Sequence, residues 1–150
     1  MPRQNGDMAR DDQRYVTDLC DRVVGIAASR EHIFDWLRGD PYPANPRGRQ
    51  LPVDAYWAHL NLVMEFNERQ HTEGVALLDK LDVLTVSGVP RGGPDGQRQR
   101  YDRRRDALIP AHRIQLVRIH LSDFEVRRHR IVPAEGDLEF VRQALKIGAP

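Results

Sequence analysis

"LPVDAYWAHLNLVMEFNERQH", Leu51–His71, is the stretch on which the reading of this chain turns. Its first part, LPVDAYW (51–57), alternates apolar and polar residues with the period of a half-buried strand. Its second, LNLVMEFN (60–67), is almost continuously apolar, as a central strand is. The short AHL connection (58–60) predicts an antiparallel hairpin. Into this pair the chain sets Asp54 and Glu65, and it closes the run with His71. A buried carboxylate is costly unless it is paired or coordinates something.

Alternation puts Glu65 and Asn67 on one face of the second strand, with Met64 and Phe66 on the other. A tight hairpin brings Asp54 close to Glu65 across the pair. Two carboxylates at one end of a sheet make a hard-oxygen site suited to Mg²⁺ or Mn²⁺. A metal held there polarises a phosphate oxygen and lowers the pKa of a bound water. His71 can take a proton from that water or bind the metal, and Glu31 is a candidate third carboxylate. The alternative is an internal salt-bridge cluster in which Glu65 pairs with Arg105 or Arg118. If the carboxylates are together only for a cation, neutralising Asp54 should cost the metal-free protein little.

Working outward, residues 1–10 read as a flexible leader and 11–150 as one domain. DDQRYVTDLCDRVV (11–24) carries a helical apolar stripe at Val16, Leu19, Cys20, Val23 and Val24, ended by Gly25. SREHIFDWLRG (29–39) reads as a second helix, capped by Ser29 and faced by Ile33, Phe34, Trp36 and Leu37. The prolines of DPYPANPRGRQ (40–50) make it a loop. TEGVALLDKL (72–81) reads as a short helix, VPRGGPDGQ (89–97) as a loop, and RQRYDRRRDALIPAH (98–112) as a helix that Pro110 ends or kinks. RIQLVRIHL (113–121) is a strand, SDFEVRRH a short helix or turn capped by Ser122, and EGDLEFVRQALKIG (135–148) a last helix. The class is α/β, a small mixed sheet flanked by helices.

At 150 residues, 40% hydrophobic and 30% charged, the chain has the composition of a globular domain. No apolar run is long enough to span a bilayer, and the first residues lack the apolar core of a signal peptide. The one cysteine, Cys20, excludes an internal disulfide and fits a reducing cytoplasm. The net charge of +1 says less than its distribution. QRQRYDRRR (97–105) sets five arginines against one aspartate, and RRHR (127–130) adds three more. Arg100, Arg103, Arg104, Arg105, Arg127 and Arg128 are therefore candidate phosphate contacts, and the other reading is a solvated helix face.

These residues together resemble the PD-(D/E)XK nuclease superfamily, and within it the very-short-patch-repair endonuclease branch and its uncharacterised relatives. SREHIFDWL resembles the opening helix of that branch, whose glutamate corresponds to Glu31. LPVDAYW resembles its strand bearing the first carboxylate, Asp54. LNLVMEFNERQH resembles the strand written lvvEvDGxxH, which corresponds to Glu65, Asn67 and His71. YDRRRDALIPAHRIQLVRI resembles yDxxRdxxLxxxGixvlRi, which corresponds to Asp102, Arg105, Asp106 and Arg118. The chain departs at Asn67, where relatives carry aspartate and the wider superfamily lysine. It departs again at Glu68 and Arg113, each in a glycine's place. The resemblance implies a restriction-endonuclease-like sandwich and Mg²⁺- or Mn²⁺-dependent cleavage of DNA, with RNA a further possibility and a homodimer left open. Catalysis would fall to Glu31, Asp54, Glu65, Asn67 and His71, with Asp54 and Glu65 on the metal. Its alternative is a catalytically degenerate module of the same fold that binds nucleic acid or a protein partner.

Overall fold

The computed structural model describes residues 5–68 and 93–148. In chain order these form helix α1 (Asn5–Val24) and strands β1 (Ser29–Arg38), β2 (Gln50–Trp57) and β3 (Leu62–Asn67). Helix α2 (Gly93–Ala111), strand β4 (Gln115–His120), a small hairpin of β5 (Val126–Arg127) and β6 (Arg130–Ile131), and helix α3 (Asp137–Leu145) complete them. One four-stranded sheet has the order β1-β2-β3-β4, with β3 antiparallel to β2 and parallel to β4. Parallel neighbours require a long crossover connection, and the chain between β3 and β4 includes α2. The class is thus α/β with a mixed sheet, as the sequence implies. No helix among the described residues is long and apolar enough to cross a membrane.

The central hairpin forms where the alternation and the apolar run place it. Ala55 faces Met64, Tyr56 faces Val63 and Trp57 faces Leu62. A 3₁₀ turn, Ala58–Leu60, and a left-handed Asn61 at φ 47° connect the two strands. Asparagine tolerates that conformation better than most residues. Other readings change. SREHIFDWLRG is not a helix but strand β1. Its apolar residues suit either period, but His32, Phe34 and Trp36 recur at every second position, and β-branched and aromatic side chains favour a pleated surface. Helix α2 begins at Gly93, inside the stretch read as a loop, and α1 begins at Asn5, inside the presumed leader. The short helix or turn read from Ser122 onward is a single 3₁₀ turn, Leu121–Asp123, and the small β5–β6 hairpin follows it. The expected helix at 72–81 lies outside the described residues.

The chain divides into two compact units. The first comprises Met1–Ile33, Pro52–Gln70 and Ile114–Pro150. Its core joins Val16, Leu19 and Cys20 of α1 to Ala55, Trp57, Met64, Phe66 and Ile119 of the sheet, and to Val141 and Leu145 of α3. The helical stripes seen in the sequence are the faces that pack. Trp57 is buried and donates its indole N–H to the Ile26 carbonyl at 3.0 Å. Cys20 is a core residue, and burial first, then the neighbouring Asp21 charge, push its thiol up to about 12.

The second unit comprises Phe34–Leu51 and His71–Arg113. Within it Leu37, Leu51 and Ile109 are buried, and the Trp36 ring stacks on His112 with centroids 3.7 Å apart. Helix α2 ends one residue after Pro110, which cannot continue the hydrogen-bond ladder. The proline-rich loop doubles back tightly: Gly39 donates its N–H to Arg49 at 2.7 Å, and Tyr42 and Asn45 exchange main-chain hydrogen bonds. Gly48 makes this possible. It sits at φ +81°, and a Cβ there would come within 2.0 Å of the Gly39 carbonyl oxygen. Gly48→Ala should therefore destabilise the protein by more than about 1 kcal/mol, read as a lower midpoint in urea denaturation.

Candidate functional site

Asp54, Glu65, Asn67 and Glu31 all belong to the first unit. The β2–β3 register ends at Ala55 and Met64, so Asp54 and Glu65 are the first residues beyond the paired stretch on their two strands. At this step a side chain takes over from the main chain. The Asp54 carboxylate accepts the Phe66 N–H through Oδ2 at 2.7 Å. Its other oxygen, Oδ1, accepts a hydrogen bond from Gln13 Nε2 at 3.0 Å. Gln13 Nε2 donates also to Glu31 Oε1, at 3.2 Å. One carboxamide on α1 thus spans two carboxylates from two strands.

Glu31 reaches this point from β1, not from a helix. It does so at φ +50°, in the left-handed region that side chains other than glycine's rarely adopt. Such a conformation costs on the order of 1–3 kcal/mol and persists only when surrounding contacts enforce it. The glutamate itself is exposed, while Asp54 is half-buried.

Glu65 is 8% exposed, in a strand whose residues 62–66 are all buried. On the parallel partner strand its register neighbour is Arg118, and that of Asn67 is His120. Parallel register partners point to the same face, so Glu65, Asn67, Arg118 and His120 lie together on the face opposite Met64, Phe66 and Ile119. A guanidinium neighbour lowers the cost of keeping Glu65 charged. His71 lies outside the described residues.

The residues offer oxygen donors to a hard cation. The Gln13 nitrogen marks a point about 3 Å from an oxygen of each of two carboxylates. Among the described residues, however, no three His, Cys, Asp or Glu side chains gather closely enough to hold a metal ion. Asp54 and Glu31 form the pair that converges.

The arginines divide by role. Arg104 donates to Asp40 at 2.6 Å and to the Arg38 carbonyl at 2.8 Å, and its guanidinium lies 5.3 Å from the Tyr101 ring centroid. Arg100 adds a second ion pair to Asp40 at 3.5 Å. The hydrogen bond from Arg104 holds the Asp40 carboxyl below the usual carboxylate range. These two arginines brace the loop. Arg105 pairs with Asp102 at 3.2 Å, an i, i+3 ion pair along the helix. Asp106 and Arg103 are exposed on α2. Arg127 pairs with Glu125 at 3.2 Å, and Arg128 is exposed at the tip of the β5–β6 hairpin, with φ +54° beside His129 at +64°.

Sequence reasoning passed over Gln13. Glutamine on a helix carries no chemical signature, and the only available signal was its position one turn before Val16, where the apolar stripe begins. No protein-family model, curated protein or solved structure matches the chain.

The geometry revises the expected cost of neutralising Asp54. Both of its oxygens accept from donors, so Asp54→Asn would turn an amide N–H₂ toward either the Phe66 N–H or the Gln13 amide. The variant should lose about 1–3 kcal/mol of stability in EDTA, measured by thermal or urea denaturation.

Proposed function

We propose that this chain is a metal-dependent endonuclease of the PD-(D/E)XK type, cleaving or nicking DNA with Mg²⁺ or Mn²⁺. The observation that carries the reading is the Asp54 carboxylate inserted at the end of the β2–β3 ladder, where it accepts the N–H of the residue after Glu65 and is joined through Gln13 to Glu31. Three other features support it. The four-stranded mixed sheet is of the kind a restriction-endonuclease-like sandwich contains. Arg113, in the place of the family's glycine, is left-handed at φ +62°, the conformation that glycine favours. Strand β4 sets Arg118 of the last motif beside Glu65 of the central one.

A bound divalent cation would polarise the scissile phosphate and supply hydroxide at neutral pH. Asp54 and Glu65 would hold it, and Glu31 would fix the water or the cation. Asn67 would offer its amide to either, and His71 would take the proton. Exposed arginines such as Arg103 and Arg128 would contact the phosphate backbone, and RNA would be read by the same charge. The second reading is a module of this fold that binds nucleic acid or a protein without cutting. Asn67, neutral where relatives are charged, is the residue that favours it.

With Mn²⁺ or Mg²⁺ the purified protein should nick supercoiled or mismatched DNA, and Glu65→Gln should abolish nicking. Equal activity in both proteins would mean a contaminant, and no cleavage of any DNA or RNA would favour the binding module.

Binding itself is tested by salt dependence. Arg103→Ala and Arg128→Ala should weaken binding to all sequences alike, each lowering the slope of log K against log salt by about 0.9 on duplex DNA. Arg104→Ala, by contrast, should lower the melting temperature, because its guanidinium braces the Asp40 loop. Undetectable affinity at low salt would remove nucleic acid from the proposal.

A further inference from the structure

We infer that Gln13 is a positioning residue: its carboxamide holds Asp54 and Glu31 at a fixed spacing and occupies the point where a divalent cation would meet both. The cation half of this inference rests on the metal-dependent reading above; the positioning half does not.

The orientation of an amide follows from its neighbours. Ionised carboxylates only accept hydrogen bonds, so a glutamine between two of them must turn its N–H₂ toward both. Here the distances are 3.0 Å to Asp54 Oδ1 and 3.2 Å to Glu31 Oε1. Two carboxylates that approach the same point repel each other unless something between them carries positive charge or donated hydrogens. The Gln13 amide supplies the hydrogens. It is placed by helix α1, whose Val16, Leu19 and Cys20 are anchored in the core, and the Gln13 carbonyl accepts the Thr17 hydroxyl at 2.7 Å. The amide therefore sits on a rigid element rather than on a loop.

A donor in this position has a second consequence. A cation that draws on the facing oxygens of Asp54 and Glu31 must displace the amide hydrogens, or the amide must turn to present Oε1. The residue at position 13 thus sets cation affinity. Leucine removes the competing donor and leaves the carboxylates unbridged. Glutamate keeps the length, removes the donor and adds a third negative oxygen pair, which favours a divalent cation.

The test uses the full chain as wild type, Gln13→Leu and Gln13→Glu, each checked by circular dichroism for a folded baseline. Melts are recorded in EDTA and across titrations of MnCl₂ and MgCl₂. Amide spectra of the ¹⁵N-labelled wild type follow the Gln13 side-chain N–H₂ pair, assigned by its absence from the leucine variant. In EDTA both variants should melt below the wild type, with glutamate the lower of the two because it sets a third negative group beside Asp54 and Glu31. Gln13→Glu should bind Mn²⁺ about tenfold more tightly than the wild type. Adding Mg²⁺ should move the Gln13 amide pair, a response that a merely structural glutamine would not give.

Superimposable melts of wild type and Gln13→Leu in EDTA would overturn the positioning role, whatever metal does. Equal Mn²⁺ affinity in all three proteins, with an unmoved amide pair, would overturn the cation role and leave the metal-dependent reading intact. A loss in EDTA with no metal response in any protein would support positioning and sink both the cation role and the metal-dependent reading.

Discussion

A hydrogen bond from the Phe66 N–H to the Asp54 carboxylate closes the β2–β3 ladder with a side chain in place of a main-chain acceptor. Strand β3 is an inner strand, antiparallel to β2 on one side and parallel to β4 on the other. Whatever fixes the end of the β2–β3 pair therefore fixes where Glu65 and Asn67 stand, and through the β4 register where Arg118 and His120 stand. A charged acceptor makes a shorter and stronger bond than a neutral carbonyl. The Asp54 side chain must be positioned for the sheet to end as it does, so its structural and chemical roles cannot be separated by one substitution.

The polar residues of this region form a graded series. Glu65 lies in the buried strand beside an arginine, Asp54 is half-buried and accepts two hydrogen bonds, and Glu31 is exposed on the edge strand. The gradient runs from a carboxylate within the buried strand to one that water can solvate. Gln13 ties the outer two together without adding charge. The left-handed backbone at Glu31 lies at the same place, which is where strain tends to be kept when a side chain must be aimed.

Arginine-rich stretches that look alike in sequence have become different things. In QRQRYDRRR, Arg104 and Arg100 converge on Asp40, and Arg105 is occupied by Asp102, so much of the cluster's charge is spent on internal contacts. In RRHR, Arg130 turns back toward Asp11 and Asp12, while the tip presents Arg128 and His129 outward. Asp12 is buried, and desolvation raises its pKa despite the Ile131 N–H and Arg130 that favour its charge. Charge density along the chain thus overstates the charge available to a partner.

Local periodicity was enough to determine the central hairpin and the α1 stripe with Cys20 in it, because each is a repeating apolar pattern that water forces inward. It also marked Asp54 and Glu65 as anomalous, since a carboxylate amid apolar neighbours needs a reason. The same patterns left SREHIFDWLRG undecided between two periods, and only pairing with β2 made it a strand and put Glu31 on a sheet edge. No local signal could mark Gln13 as the partner of Asp54, 41 residues away. None could tell that Arg104 would be held by Asp40, 64 residues distant, while Arg128 would stand exposed. Hydrogen bonds and ion pairs act over a few ångströms, so which polar groups meet is settled by the packing of distant elements and is not written in the order of residues along the chain.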